Sequence, residues 1–584
     1  MPAGRCIQLL GRPYAGGVQL RGNKPWAITA YLALADAPVP RVRLISLLFD
    51  SAQDPAAALR WNLGQVRRLL GGPDALSGSV LSLPGVCFDV GVLGAARWQD
   101  AIDLEGLGAE LLEGMQFPDC AAFETWLMGE RRRLAALTEA VLQEATLNAL
   151  SVGNLDDGVR HASRLVTLNP LADTHQELLI RAYAMSGDPL AARRQLESAV
   201  RLFRRELGCD PQPSVFLAAQ SVPAKVDGPS TPARVRALLE AGQAQVTAGA
   251  MGAAVQVLRA ACEEADITND AALAATAHLA LGSALIGAGT ARHQEGELAL
   301  QRTINLAQES GHRATAAAAY RNLAGSYVLR GIYPRADRRL AEAESLGSGE
   351  ASEVVEVAAI RGVSLLDRGD IDAAIAVFHQ GLDADPGRGH GFLPIMLTHA
   401  GRACLLAGDF TGARGHLDQA LQIAQTRSWA GVTAAPLALL GHVAVATGDL
   451  MTASDLLEEA LARACQVADP CWETWAAHGL GLFCAAIGDP GSALRHLADA
   501  VTRSRPTRGG HLWSHVWALT GAAHLGRRLD DPRHVAWQEE ALATAQRCGM
   551  RALTTQLLRD SGNQELTYGH RPRPPENDGG TAGP

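Results

Sequence analysis

Glycine-centred turns recur at nearly constant intervals through the second half of this sequence, and this period restricts the fold more than any other feature. The turns lie at Gly249, Gly289, Gly331, Gly369, Gly408, Gly448 and Gly488. A unit of this length, roughly 40 positions, is a helix pair that cannot bury its apolar face alone, so neighbouring units must stack. We therefore predict seven or so units in an extended α-solenoid whose concave surface holds a partner.

The clearest units share a second feature, because their turn reads Gly-Asp and small residues follow three or four positions later. These small residues are Ala373-Ala374, Gly412-Ala413, Ala453 and Ala493. Small side chains at a fixed place in each unit let the paired helices approach closely. The pattern predicts tetratricopeptide-like repeats over residues 234–560.

The middle of the chain shows the same punctuation at a shorter period. Turns occur at Gly153-Asn154 and Gly187-Asp188. Their separation of about 34 positions is the tetratricopeptide period. We therefore expect a helical, tetratricopeptide-like domain over 93–215. A proline-rich stretch predicts a linker at 216–233, and the polar tail 561–584 is expected to be disordered.

Residues 1–92 read differently, as an α+β module. Residues 5–21 alternate short apolar stretches with turn residues, which predicts a β-hairpin or platform. Helices are expected at about 27–35, 42–49 and 55–70, the last opened by Asp54 as N-cap and Pro55 at the first helical position. Two short strands around a turn are expected at 79–83 and 86–90. This order predicts a winged helix-turn-helix, so the whole chain is expected to be mainly α with an α+β N-terminus.

The charge distribution separates this module from the rest. Nine basic and five acidic residues give 1–90 a charge of +4, and the net charge of −9 leaves −13 for the remainder. A small basic module on an acidic body fits one contact surface for nucleic acid phosphates. The acidic total argues against a protein that coats nucleic acid or an anionic membrane along its whole length.

The third helix carries the candidate DNA-reading residues. One face, formed by Leu59, Leu63, Val66 and Leu70, is predicted to pack on the module's core. The opposite face and its flanks carry Arg60, Trp61, Gly64, Gln65, Arg67 and Arg68. Arginine and glutamine match guanine and adenine edges in the major groove, and Gly64 would let the backbone come close. The alternative is a solvated basic face.

Two further arginines and the wing complete the candidate interface. Arg41 and Arg43, at the start of the second helix, either bind phosphate with help from the helix N-terminus or are merely exposed. The hairpin expected from Ser79 to Val90 contains no basic residue. Its contribution to affinity for DNA is therefore expected to be small.

Several other functions lack the residues that they need. Only two lysines occur and no P-loop or Gly-x-Ser-x-Gly motif is present, so we predict no catalytic site and no cofactor. The ten cysteines lack zinc-ligand spacing and are read as reduced thiols buried in cores. No continuous apolar run reaches the length needed to span a membrane, and we expect a cytoplasmic protein without membrane contact.

The last repeats contain four tryptophans, Trp472, Trp475, Trp513 and Trp517. We interpret them as core residues, and the alternative is that they line a hydrophobic binding groove.

Segments within residues 1–215 resemble a known family of regulators. Residues 26–34 (WAITAYLAL), 38–49 (PVPRVRLISLLF) and 58–71 (ALRWNLGQVRRLLG) resemble the winged helix of the Streptomyces antibiotic regulatory proteins. The following residues resemble the bacterial transcriptional activator domain of that family, at 111–115 (LLEGM), 123–127 (FETWL), 130–134 (ERRRL), 168–171 (LNPL) and 206–211 (ELGCDP).

The resemblance implies an OmpR-like DNA-binding fold and a bacterial regulator. It also implies partners, namely direct repeats near promoters bound by side-by-side dimers, and RNA polymerase. Larger members of the family add an ATPase that this chain lacks, so nucleotide-gated control is not expected.

We therefore predict a sequence-specific DNA-binding transcriptional regulator, an activator by its resemblance, whose repeats bind a peptide, protein or small-molecule effector. The alternative is a repeat scaffold or adaptor whose winged helix binds protein, as the acidic body and the neutral wing would permit.

Overall fold

The computed structural model describes most of the chain. The described residues are 7–35, 37–70, 76, 78–83, 86–95, 98–219, 230–287, 292–347, 351–384, 392–427, 429–506 and 510–560. Within them the chain forms 27 α-helices and one two-stranded sheet, which confirms the prediction of a mainly α protein. None of these helices is both long enough and apolar enough to span a membrane.

The described residues divide into two compact units. The first comprises 7–211 and 215–219, and the second comprises 212–214 and 230–560. Most of the predicted linker, from 220 to 229, and the whole tail from 561 onward lie outside the described residues.

The first unit begins with three helices in the predicted order. They are α1 (Lys24–Ala33), α2 (Arg41–Leu48) and α3 (Pro55–Leu69). Asp54 caps α3 as expected, since its carboxylate accepts the backbone N–H of Ala57 at 2.9 Å, and Pro55 occupies the first turn where no N–H is needed.

The strands differ from the predicted wing. Strand β1 (Val39–Pro40) pairs antiparallel with β2 (Val80–Leu81), so β2 pairs with the segment before α2 rather than with residues 86–90. Phe88 forms an isolated bridge with Ile7, and helix α4 begins one residue later (Asp89–Ala95). The prediction of a hairpin ending at Val90 is therefore wrong.

A buried carboxylate accounts for this difference. Asp89 accepts the backbone N–H groups of Leu9 at 2.9 Å, Leu10 at 2.8 Å and Val90 at 2.7 Å. Burial raises the pKa of Asp89, although these N–H donors act to lower it. The hydrogen bonds hold Asp89 at the start of a helix and join it to a segment near the beginning of the chain, a contact that local sequence pattern does not reveal.

The N-terminal segment is paired on both sides. Gln8 and Tyr14 exchange backbone hydrogen bonds of 2.9 and 3.0 Å around a tight turn, in the region where a hairpin or platform was predicted. The backbone N–H of Ile7 donates to the carbonyl of Cys87 at 2.9 Å, so this segment runs beside Cys87. Cys87 is disulfide-bonded, which corrects the expectation of a reduced thiol there.

The rest of the first unit is helical. Its elements are α5 (Trp98–Ala101), α6 (Ala121–Ser151), α7 (Leu155–Leu168), α8 (Asp173–Met185), α9 (Pro189–Glu206) and α10 (Pro213–Ala218). The predicted turns join α6 to α7 and α8 to α9, with φ of +78° at Gly153 and +77° at Gly187. Asn154 and Asp188 cap the helices that follow, so the helix-pair prediction for this region is confirmed.

The second unit is a stack of helix pairs. Its helices are α11 (Pro232–Thr247), α12 (Met251–Ile267), α13 (Ala271–Gly287), α14 (His293–Glu309), α15 (Arg313–Leu329), α16 (Tyr333–Leu346), α17 (Ala351–Arg368), α18 (Ile371–Ala384), α19 (Leu393–Ala407), α20 (Phe410–Thr426), α21 (Ala434–Thr447), α22 (Leu450–Val467), α23 (Pro470–Ala486), α24 (Pro490–Arg503), α25 (Leu512–Arg528), α26 (Arg533–Cys548) and α27 (Arg551–Asp560). Helices α11–α26 form eight consecutive pairs.

Six of the seven predicted turn glycines have positive φ, between 71° and 92°. They are Gly249, Gly331, Gly369, Gly408, Gly448 and Gly488. Gly289 lies outside the described residues. An eighth turn, between α25 and α26, places Asp530 at φ +55°. The periodicity missed it because this turn contains no glycine.

Close helix pairing recurs along the stack. Ala374, Ala413, Ala453 and Ala493 are fully buried, as the small-residue pattern predicts. The first helix of several pairs also carries a glycine packed under a large side chain of the second. A Cβ on Gly401 would lie 2.6 Å from Leu417, and one on Gly481 would lie 2.7 Å from Leu497.

The solenoid of the second unit is not extended, so the prediction of an extended α-solenoid is wrong in this respect. A Cβ on Gly331 would lie 3.1 Å from the Sγ atom of Cys548, and one on Gly249 would lie 2.7 Å from Val467. Arg551 forms an ion pair with Asp370, which is far away in sequence. These contacts show that successive turns of the superhelix touch. Part of its inner surface is therefore core.

Candidate nucleic-acid interface

Helix α3 has one buried and one exposed face. Leu59, Leu63 and Val66 are at most 2% exposed and lie on the side that packs against α1 and α2, as the periodicity predicts. Arg60, Trp61 and Arg68 are exposed on the other side. Trp61 retains 57% exposure, which is unusual for so large an apolar side chain. The exposed face therefore carries two cations and one aromatic ring.

Gln65 does not belong to this face, which corrects its predicted position. Its side chain is 1% exposed. Its Oε1 atom accepts the backbone N–H of Arg21 at 2.7 Å, and its Nε2 atom donates to the carbonyl of Arg21 at 3.2 Å. Both ends of the amide are thus used to fix the segment before α1, and the side chain is held away from any base edge.

The remaining two candidates on α3 differ in availability. Arg67 is half-buried, and its Nε and Nη2 atoms donate to the carbonyl of Leu76 at 3.2 and 2.8 Å, so its guanidinium is engaged within the fold. Gly64 lies between the exposed residues, and a Cβ there would meet no atom within 4 Å. Space beside the Gly64 backbone is therefore open to an approaching molecule.

The two arginines at the start of α2 also differ. Arg41 is half-buried, and its backbone N–H donates to the carbonyl of Ser79 at 3.2 Å, next to the β1–β2 pair. Arg43 is exposed, and its Nε atom donates to the hydroxyl of Tyr31 at 3.3 Å. Arg43 is thus the better placed of the two for contact with a phosphate.

An aromatic cluster that sequence reasoning missed positions Arg43. The ring of Tyr31 lies 4.7 Å from that of Trp126, which in turn lies 5.1 Å from Phe123, and both contacts are tilted. This cluster connects α1, which carries Tyr31, to α6, which carries the other two rings. The two helices are far apart in sequence, so no local pattern could join them.

The exposed groups of this surface are of the kinds that bind a partner molecule. Among the described residues, no three side chains of the metal-ligating types are arranged to hold a metal ion. The surface offers guanidinium groups, an aromatic ring and an open backbone, which can contact phosphates and base edges.

Comparison with protein families assigns two parts of the chain. Residues 92–222 match the bacterial transcriptional activator domain, and residues 361–428 match the tetratricopeptide repeat. Both families are regulatory or scaffolding rather than enzymatic. The chain therefore carries a transcriptional activator domain together with tetratricopeptide repeats. Its activator domain is of the type found in the Streptomyces antibiotic regulatory proteins, as the motifs at 111–134 and 168–211 indicated.

Solved structures give weaker likenesses. A Rap protein complexed with competence and sporulation factor has a TM-score of 0.37 at 12% identity, over 56% of this chain and 80% of its own. Yeast Tom70 has a TM-score of 0.32 at 12% identity, and the match covers 81% of this chain and 94% of Tom70. Mycobacterium tuberculosis EmbR, solved with a low-affinity phosphopeptide, has a TM-score of 0.28 at 19% identity. The match covers 38% of this chain and 66% of EmbR. Such low scores carry no argument about function. No curated protein matches the chain.

Proposed function

We propose that this chain is a sequence-specific DNA-binding transcriptional activator in which α3 enters the major groove. The observation that carries the proposal is the strip formed by Arg60, Trp61, Gly64 and Arg68. Positions 60, 64 and 68 follow one another at intervals of four, so they share one side of the helix. The opposite side is buried, and the strip is the part of α3 that a duplex can reach.

Each residue of the strip has a distinct role in the proposal. Arg60 and Arg68 donate paired hydrogen bonds to base edges, for which guanine O6 and N7 are the best acceptors. The ring of Trp61 makes apolar contact with a thymine methyl group, and Gly64 lets the helix backbone lie close to the duplex. Arg43, oriented by Tyr31, contacts a backbone phosphate and sets the register of binding.

The second half of the proposal is that the chain binds direct repeats near promoters as side-by-side dimers and recruits RNA polymerase. The activator domain at 92–222 supports this half. The second unit then holds an effector or protein partner. Gln65 has no role in base recognition here, because its amide is buried and bonded to Arg21.

Binding of the full chain to duplexes from its own upstream region, measured by fluorescence anisotropy against random duplex, tests this function. Selective binding that weakens steeply with salt is expected, since neutralised phosphates release counterions. Arg68→Ala should lose about 5- to 150-fold in affinity for the specific duplex and little for random duplex, as a lost base contact does.

Two matched variants sharpen this test. Arg43→Ala should weaken specific and random duplexes alike and reduce the salt slope by about one phosphate contact. Arg193→Ala, which removes an exposed arginine of α9, should change neither. Equal losses on both duplexes for Arg68→Ala would contradict the role of α3, and absence of any DNA binding would leave the scaffold alternative.

A further inference from the structure

A buried polar centre lies inside the second unit, outside the DNA-contacting surface. Arg402 of α19 and Asp367 of α17 are 2% and 0% exposed at their side chains, and the Nη2 atom of Arg402 donates to Asp367 Oδ1 at 2.6 Å. The other oxygen of Asp367 lies 2.6 Å from His511 Nε2. Because His511 is several repeats away from Asp367 in sequence, the centre forms where successive superhelical turns meet.

Aromatic rings form the walls of this centre. The guanidinium carbon of Arg402 lies 3.7 Å from the ring centre of Trp513 and 5.6 Å from that of Trp475. Both tryptophans are at most 4% exposed, so their assignment to the core is confirmed at these two positions. A cation held on aromatic faces stays charged and fixed in direction while water is excluded.

Several polar atoms of this centre have no partner. Within the described part of the chain, the Nε and Nη1 atoms of Arg402 and the Nδ1 atom of His399 make no hydrogen bond. The same is true of the hydroxyl groups of Tyr333 and Ser364. Burial and the charge of Asp367 raise the pKa of Tyr333, and the charge of Arg402 acts to lower it. Ser364 precedes Asp367 by about one turn of α17. Buried polar groups are ordinarily paired, and five unpaired atoms on three neighbouring helix pairs point to a molecule that would accept their hydrogen bonds.

The centre combines one ion pair with a neutral imidazole. Burial acts to raise the pKa of Asp367, but His511 and Arg402 lower it, so this carboxylate is ionised. Burial and the charge of Arg402 lower the pKa of His399 to about 3, so this imidazole is neutral at pH 7. Asp367 meets the Arg402 guanidinium only at its Nη2 atom, and the Nε and Nη1 atoms have no acceptor among the described residues.

We propose that the Arg402 centre binds a small molecule bearing a carboxylate and an apolar or aromatic body. The unpaired N–H groups of Arg402 donate to its carboxylate, a planar group that the guanidinium fork fits. Trp475 and Trp513 contact its body, and Tyr333 and Ser364 donate further hydrogen bonds. This inference deepens the proposed role of the repeats as the effector-binding part of the regulator.

In this proposal the ligand enters by separation of two groups of helices that the closure contacts hold together. The closure contacts join α25–α27 to α15–α17, through His511 with Asp367 and Arg551 with Asp370. Separating these two groups of helices opens the centre, since the repeats on either side pack chiefly on their own neighbours.

Titration of the full chain with sodium benzoate, followed by tryptophan fluorescence at constant ionic strength, tests the proposal. We expect a saturable change for benzoate and none for benzamide, which has the same shape without the charge. Arg402→Lys keeps a cation beside Asp367 but lacks the fork, and it should weaken benzoate binding by about tenfold or more. Arg321→Lys is the matched control, because buried Arg321 is already paired with Glu356 at 2.8 Å.

Ser364→Ala leaves the ion pair intact and should weaken benzoate binding by a smaller factor. If Arg402→Lys does not fold, Ser364→Ala serves as the test variant in its place. An equal response to benzamide, no saturable change with benzoate, or full binding by the Arg402 and Ser364 variants would overturn the proposal. The titration contains no DNA, so its failure and a failure of DNA binding are separate results.

Discussion

The two compact units are held together in different ways. In the first, side chains bind backbone groups far away in sequence, as Asp89 does with Leu9 and Leu10 and as Gln65 does with Arg21. In the second, each helix packs mainly on its sequence neighbours, through recurring glycine and alanine contacts. The consequence is that a single loss in the first unit disturbs segments far apart in the sequence, whereas in the second it disturbs one or two neighbouring repeats.

The largest expected effect concerns Asp89. Asp89→Ala would leave the buried N–H groups of Leu9 and Leu10 without an acceptor, at about 1–3 kcal/mol each. Hydrogen exchange of the full chain, read by mass spectrometry, should show lost protection at 7–12 and 89–95 and unchanged protection from 234 onward.

Asp54→Ala is the control for Asp89→Ala, since it removes an exposed N-cap of α3 worth about 1 kcal/mol. An equal loss of protection in both variants, or a loss extending through the repeats, would break the contrast between the two units.

The same contrast explains how much of the structure could be predicted from sequence. The repeat turns follow from local chemistry, because glycine tolerates positive φ and a following Asp409 or Asp449 caps the next helix. The turn at Asp530 has no glycine and was missed. The solenoid's closure was also missed, since the contacts at Gly331 and Gly249 depend on the pitch summed over several repeats.

The candidate interface was partly predictable for a related reason. Periodicity placed Leu59, Leu63 and Val66 correctly on the buried face of α3 and left Arg60, Trp61 and Arg68 exposed, but Leu70, predicted with the buried residues, is half-buried. It could not place Gln65, because helical phase puts this residue near the boundary of the two faces and its burial depends on the backbone of Arg21, well before it in the sequence. The start of α4 was predicted as the end of a strand at 86–90 for the same reason, since Asp89 takes its partners from the N-terminal segment.

The second prediction tests close packing within one repeat. A Cβ on Gly362 of α17 would overlap the ring of Phe378, which is fully buried. Gly362→Ala should therefore destabilise the solenoid by about 1–3 kcal/mol, as overpacking does. Gly325 of α15 has no atom within 4 Å of an added Cβ, and Gly325→Ala should stabilise by up to about 1 kcal/mol.

Urea unfolding of the full chain, followed by circular dichroism, measures both substitutions. Opposite shifts of the unfolding midpoint are expected. Shifts of the same sign would show that helix propensity, rather than contact across the helix pair, governs these positions.

The smallest expected effect compares two N-cap aspartates in neighbouring helices. Burial raises the pKa of Asp469, the cap of α23, from 3.8 to about 6. The hydroxyl and backbone N–H of Ser492 lower the pKa of Asp489, the exposed cap of α24. The two caps therefore contribute to stability with opposite dependence on pH.

For Asp469, the raised pKa means that its contribution to stability is fully present below pH 3.8 and is lost as the pH rises through about 6. Asp469→Asn keeps the cap's acceptor oxygen without the charge. This substitution should raise the free energy of unfolding at pH 7 by about 1–2 kcal/mol, after allowance for solvent screening. It should also flatten the dependence of stability on pH between about pH 4 and 7.

For Asp489, ionisation contributes stability above pH 3.8 that is lost as the pH falls through its lowered pKa. Asp489→Asn should therefore reduce stability at pH 7, the opposite of the result at Asp469. Thermal unfolding of both variants at pH 4, 5.5 and 7 measures the difference. A common sign would mean that burial does not distinguish the two caps, and that the repeated local motif, rather than the wider surroundings, determines each residue's contribution.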